Sequence, residues 1–230
     1  MAYLLAIDTS TEICSVALGK DKECIAMVED NRENSHAEKI LLFVEQVLVQ
    51  SGLKMNDLDA VCLSEGPGSY TGLRIGTSSA KGFCDALDIP LIAVSTLQGM
   101  AWGAREQYPD YQQYCPMIDA RRMEVYTAVY NQYLERVNDI TNVILDENSY
   151  LDFLLKDKVV FSGNGMPKSI PALSQNKNAI FCNTKTSARY LLALGYRKYI
   201  EQDFADIAYF EPFYLKEFQM KTKSNNRITE

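Results

Sequence analysis

Four glycines and one proline fall within eleven residues, Gly66-Pro67-Gly68-Ser69-Tyr70-Thr71-Gly72-Leu73-Arg74-Ile75-Gly76, between an apolar run at 60–64 and a helix-compatible stretch reaching Leu87. A strand that breaks at glycines and reopens as a helix directs backbone N–H groups at one spot, which favours an anion or a close backbone contact. The spacing is that of neither common nucleotide loop. Gly66-x-Gly68-x-x-Thr71 lacks the third glycine of the dinucleotide fingerprint and no Gly-Lys-Ser/Thr follows, so neither a Rossmann site nor a P-loop is indicated. Two readings stand: a ligand turn, and a turn that lets a helix pack tightly on its strand.

Upstream, 3–9, 12–19 and 23–29 are short β-favourable runs that predict an antiparallel meander. Asp8 stands where the first strand gives way to Thr9, Ser10 and Thr11. A carboxylate followed by hydroxyls suits a hydrated metal ion and phosphate oxygens, and suits an Asx-type turn equally. The stretch 35–50 predicts a helix whose core face carries Ile40, Phe43, Val44, Val47 and Leu48, with Leu41 at its edge. Leu42 and Val49 fall on the opposite side among Glu38, Glu45 and Gln46; they are either singly exposed residues or a narrow seam for a partner helix.

The next helix, 72–87, is rich in small residues, and each interior glycine costs roughly 1 kcal/mol against alanine. Leu73, Thr77, Ala80, Cys84 and Leu87 can pack on a sheet, and the small residues elsewhere predict that the helix is covered on more than one side. A strand at 90–94 and a helix to 107, capped by Ser95 or Thr96, close the first unit. Strand-like runs at 114–119, 124–131 and 136–145, a helix at 148–155, a strand at 159–162 and a helix at 187–201 form a second unit opening with another meander. Such a layout suggests an α/β duplication. The division expected is 1–98, 99–207, a short segment at 208–218, and a polar tail at 219–230.

Composition narrows the chemistry. Of 230 residues 47% are hydrophobic, enough for folded cores, and a net charge of −7 argues against gripping nucleic-acid phosphates unaided. The six cysteines form no Cys-x-x-Cys pair and read as small buried hydrophobes in a reducing compartment. No run approaches the ~20 apolar residues of a membrane span, and the N-terminus lacks a basic flank, so the cytoplasm is expected. His36 is the one histidine; it cannot supply a paired metal site and starts a helix, so no catalytic or metal residue is assigned. In the second unit, Asp119-Ala120-Arg121-Arg122-Met123-Glu124 takes the place of the 8–11 loop, its arginines suited to ion pairs or phosphate. Ser162-Gly163-Asn164-Gly165 is a further turn, either bordering a cleft ligand or ordinary.

Taken together, Ile7-Asp8-Thr9-Ser10-Thr11, the 66–76 stretch, Asp119-Ala120-Arg121 with Glu124-Val125-Tyr126, the Gly163/Gly165 turn and Pro212-Phe213-Tyr214-Leu215-Lys216 make the chain similar to the TsaB (YeaZ-like) family across nearly its whole length. The resemblance implies an actin/sugar-kinase-like fold of two ribonuclease-H-like units with mixed central sheets flanked by helices, the C-terminal segment returning to the first unit. It implies a non-catalytic subunit that activates a homologous TsaD-like enzyme, which transfers threonylcarbamoyl from its adenylate to adenosine 37 of ANN-decoding tRNAs. A TsaE-like ATPase completes the assembly, tRNA is met only through the complex, and the chain alone forms a homodimer. The implied partner interface uses Glu38, Leu42, Glu45 and Val49 on the first helix and Tyr70, Gly72, Ile75, Gly76 and Ser79 on the second. Asp8, Thr9, Ser10, Gly163 and Gly165 are the candidate cofactor residues, with ATP or ADP and magnesium the candidate ligand within the complex. The second loop departs from the phosphate pattern of the wider fold, which counts against ATP hydrolysis by this chain alone. The competing expectation is an ATP-dependent or metallopeptidase-like enzyme.

Overall fold

The computed structural model describes residues 1–31 and 36–216. Ser35, at the expected start of the first helix, and the end of the chain from 217, including the polar tail, lie outside the described residues.

β1 (Tyr3–Asp8), β2 (Cys14–Lys20) and β3 (Glu23–Asp30) form the meander, followed by α1 (His36–Ser51), β4 (Ala60–Gly66), α2 (Tyr70–Leu87), β5 (Leu91–Ser95) and α3 (Thr96–Gln107). The sheet runs β3-β2-β1-β4-β5, with β1, β4 and β5 parallel. Alternation along each strand decides what it touches. Leu5 and Ile7, with Val16, Leu18, Val61 and Leu63, meet Ile40, Val44 and Val47 of α1 and Ala80 and Cys84 of α2. Leu4 and Ala6, with Ala17, Cys62 and Ile92, face the other way, toward Leu97, Met100, Leu191 and Leu192. A strand covered on both faces must be apolar at every position, as Leu4-Leu5-Ala6-Ile7 is.

The second half repeats the plan. β6 (Gln113–Asp119), β7 (Glu124–Thr127), β8 (Tyr130–Asn131), β9 (Thr141–Ile144), α4 (Leu151–Leu154), β10 (Val159–Ser162), α5 (Ile170–Leu173), β11 (Ala179–Phe181) and α6 (Arg189–Glu201) follow in order. The sheet runs β11-β10-β6-β7-β9, with β8 pairing beside β6. Antiparallel pairs on one side and parallel pairs on the other reproduce the first sheet.

Several local expectations give way to tertiary demands. The run 124–131 splits because Asn138 Oδ1 takes the Val129 N–H at 2.6 Å, drawing that residue off the ladder. The helix at 148–155 is one turn long, entered through Tyr150 at φ 63°. Ser69, not a residue within the helix, starts α2: its Oγ accepts the Gly72 N–H at 3.3 Å. Ser95 precedes α3 without a side-chain cap, and Thr96 pairs with Ser64 at 2.7 Å instead. α6, assigned by the 99–207 division to the second unit, lies across the first sheet, where Gly195 comes close to Cys62 and Leu4. The missing side chain at Gly195 is what allows that approach, since a Cβ would stand 2.6 Å from Cys62 Sγ.

The stretch after α6 runs back along the first sheet. Ala205 bridges Leu91, the Phe213 N–H donates to Glu65 O at 2.8 Å, and the Tyr214 ring lies 4.8 Å from that of Tyr70. Lys216 Nζ then reaches Glu124 of β7. No helix among the described residues is long and apolar enough to cross a membrane. All six cysteines are free, and Cys24, expected to be buried, is exposed near the start of edge strand β3.

Candidate functional site

The loop after β1 is closed by its own chain. Asp8, Thr9, Ser10 and Thr11 are 2%, 1%, 0% and 6% exposed. Asp8 Oδ1 accepts the Ser10 N–H at 3.0 Å and the Ser10 hydroxyl at 2.6 Å, an Asx-type turn. Thr9 Oγ1 donates to Gly72 O at 2.7 Å, Ser10 O accepts the Ser69 N–H at 2.7 Å, and Thr11 pairs with Thr186 at 2.6 Å. The 66–76 turn therefore packs into this loop, with Gly68 against the Ser10 carbonyl and Gly72 against that of Thr9. Every hydroxyl that was expected to meet a phosphate has an internal partner.

Gly163 and Gly165 are occupied in the same way. Their N–H groups donate to Thr184 O at 2.8 Å and Met117 O at 3.0 Å, and their Cα atoms press on β6. Across the cleft, Ser15 Oγ accepts the Ala188 N–H at 2.8 Å, Asn164 Nδ2 donates to Glu12 at 2.8 Å, and Ser187 donates to Glu29. The neighbours Thr11, Glu12, Ser15 and Glu29 carry the bonds to the second half, while Asp8, Thr9 and Ser10 are bonded within the first half and Gly163 and Gly165 within the second. As built they do not fit a nucleotide, because its phosphates would have to displace these bonds. Nor do the described residues hold any cluster of three metal-ligating side chains. His36 begins α1 with Nε2 donating to Thr11 O at 2.9 Å, a structural anchor for the same loop.

Burial pushes the Asp8 carboxyl above its usual pKa; the Ser10 bonds oppose the shift and Glu29 adds to it. A carboxyl raised in the folded state binds its proton more tightly there than when unfolded. Stability therefore falls as pH rises from the ordinary carboxylate range through the folded value, and the full penalty stands above it. Asp8→Asn keeps the acceptor without the charge. Melting curves at about pH 8 should place it above the parent, and near pH 4 the two should coincide. A lower melting point at both would show the carboxylate itself to be stabilising.

The other prominent feature is the outer surface of α1 and α2. On α1, Ile40, Phe43, Val44, Val47 and Leu48 are buried as the periodicity predicts, while Leu41, Leu42 and Val49 are 63%, 55% and 75% exposed. Glu38 and Glu45 flank them, also exposed. Between the helices runs a groove of about 520 Å³, lined by Ala37, Leu41, Ile75, Ser78, Ser79, Gly82 and Phe83 together with one charged side chain, Arg74. Ile75 and Ser79 were named above for a partner interface. Leu41, Ser78, Gly82 and Phe83 were not, because which flank of α1 faces α2 is set by the sheet beneath them.

Two interface expectations are corrected. Gly72 and Gly76 turn inward and are buried, since Thr9 fills the space their side chains would take. Tyr70 is half-buried, its ring against Tyr214 and beneath the Arg74 guanidinium, 4.1 Å from the centroid. Gly82 behaves differently: a Cβ there would meet nothing within 4 Å. Its helix-propensity cost of roughly 1 kcal/mol is offset by no contact in the monomer.

Comparison with known proteins bears on both features. The family model for TsaD, tRNA N6-adenosine threonylcarbamoyltransferase, matches residues 26–226. Over 225 residues the chain is 31% identical to the tRNA threonylcarbamoyladenosine biosynthesis protein TsaB of Haemophilus influenzae, with 93% of each chain covered. Over 129 residues it is 42% identical to the protein of that name from Escherichia coli, covering 56% of this chain and 55% of the other. The solved structure of YeaZ from Pseudomonas aeruginosa superposes with a TM-score of 0.79 at 27% identity, covering 94% of this chain and 100% of that one. The architecture is the α/β actin/sugar-kinase-like fold, shared also by structures at 12% and 10% identity with TM-scores of 0.51 and 0.53, which carry the fold alone.

Proposed function

Because the chain belongs to the TsaB (YeaZ-like) family, we propose that it is a non-catalytic subunit in the formation of N6-threonylcarbamoyladenosine at position 37 of ANN-decoding tRNAs, docking through α1 and α2 onto a homologous TsaD-like catalytic chain. The observation that carries this reading is the groove between those helices, apolar along Leu41, Ile75 and Phe83 and lowered by Ser78, Ser79 and Gly82 so that another helix can approach closely. Leu42, between Glu38 and Glu45, and Val49, one turn beyond Glu45, extend the apolar surface over the outer side of α1. In the absence of the catalytic chain a second copy takes the same surface, which gives a homodimer. A TsaE-like ATPase joins the assembly, and RNA is held by the assembly rather than by this acidic chain alone.

Engagement of the 8–11 loop within the chain supports an accessory role, since the hydroxyls that would handle a phosphate are bonded to Gly72, Asp8 and Thr186. The test is reconstitution. Mixed with the catalytic chain, the protein should pass from homodimer to heterodimer on a sizing column, and threonylcarbamoyl transfer to tRNA should require the mixture. Transfer by the purified chain alone, or ATP turnover abolished by Asp8→Ala, would establish an enzyme instead.

A further inference from the structure

The turn linking β6 to β7 is an unusual place for two arginines. Arg121 and Arg122 both have positive φ, 72° and 48°, a left-handed conformation that glycine and asparagine adopt more readily than arginine. Both are exposed, and among the described residues neither guanidinium has a carboxylate within ion-pair distance. The nearby acids are already committed. Asp119 accepts from Lys168 and from the Arg121 N–H, and Glu124 accepts from Lys216 and Asn142. Glu12 takes Asn164, and Asp146, beyond β9, caps Asn148 and Ser149. In a chain of net charge −7, lysines neutralise the acids flanking this turn and leave two guanidinium forks facing solvent.

We propose that the turn 120–123 presents Arg121 and Arg122 to backbone phosphates of the RNA held by the assembly. The proposal rests on the tRNA-modification reading above. Arginine forks match phosphate oxygens in a bidentate way, and phosphate contact needs no base-specific geometry. A mononucleotide is the poorer match. Three of the five N–H groups along 120–124, those of Ala120, Arg121 and Glu124, are already bonded to Glu124 O, Asp119 Oδ1 and Arg121 O, which leaves a reduced cradle for a terminal phosphate. The turn is held in place from behind, where Asn164 Oδ1 accepts the Asp119 N–H at 3.0 Å.

The test uses the chain co-purified with its catalytic partner, a tRNA transcript as probe, and Mg·ATP as a second probe. Arg121→Asn with Arg122→Gly installs residues that take positive φ more readily than arginine, so this variant should melt no lower than the parent. Its Kd for tRNA should nevertheless rise about tenfold, and the slope of log K against log salt should shrink by roughly 1–2. Replacing both arginines by lysine should restore part of that slope. Parent-like affinity and slope in the Asn-Gly variant, with a parent that binds tRNA, would overturn the role of the turn alone. Loss of Mg·ATP binding with tRNA affinity retained would assign the arginines to a nucleotide and overturn the RNA contact. A parent assembly that binds no tRNA would overturn both this proposal and the reading beneath it.

Discussion

A chain carrying Leu41→Glu and Gly82→Leu should elute as a monomer and fail to co-elute with the catalytic subunit, its affinity for that partner falling by at least about 100-fold. Leu41 is 63% exposed and Gly82 has open space around it, so both replacements fit the isolated fold. Within an interface they do two different things. Glutamate places a charge where apolar surface would be desolvated, and leucine fills the low point over which a helix would pass. Leu155→Glu, at an apolar residue 79% exposed on the second half, is the control and should leave assembly unchanged. Parent-like heterodimer formation by the double variant would remove α1 and α2 as the docking face.

The second large effect concerns stability. Gly72→Ala should lower the melting temperature by about 5–10 °C, equivalent to roughly 2–3 kcal/mol in a domain of this size. The added methyl would run into the Thr9 carbonyl oxygen, a backbone atom that cannot move without opening the loop, and would disturb the 2.7 Å bond from Thr9 Oγ1 to Gly72 O. Gly82→Ala, on the same helix, should raise the monomer's melting temperature by about 2–4 °C, because only helix propensity changes. The same substitution ten residues apart thus acts with opposite sign. Equal melting points for the parent and Gly72→Ala would mean that the Thr9 carbonyl gives way to the added methyl at little cost.

The contrast also explains what the sequence could disclose. Helical periodicity marked Ile40, Val44 and Val47 as core, and left Leu42 and Val49 as apolar residues without an internal reason, because side-chain direction on a helix follows from spacing alone. Glycine carries no such signal. Gly72, Gly76 and Gly82 look alike in the sequence, and only Thr9, 63 residues before Gly72, tells the inward pair from the outward one. The 8–11 hydroxyls were ambiguous for a related reason: a threonine awaiting phosphate and one bonded to Thr186, 175 positions away, have the same local sequence. β1 was legible because burial on both faces demands a continuous apolar run. In the second half, short segments such as 179–181 and 166–173 depend on their neighbours, and Pro167 and Pro171 obscured the helical turns they begin.

Beyond α6 the backbone is fastened to Leu91 and Glu65 on one sheet, and Lys216 fastens it to Glu124 on the other. Any rocking of one sheet against the other must strain that tether along with the bonds across the cleft. The C-terminal strap consequently makes β7 a neighbour of the first sheet: releasing Lys216 from Glu124 would free one attachment between the two sheets and leave the bonds across the cleft to hold them.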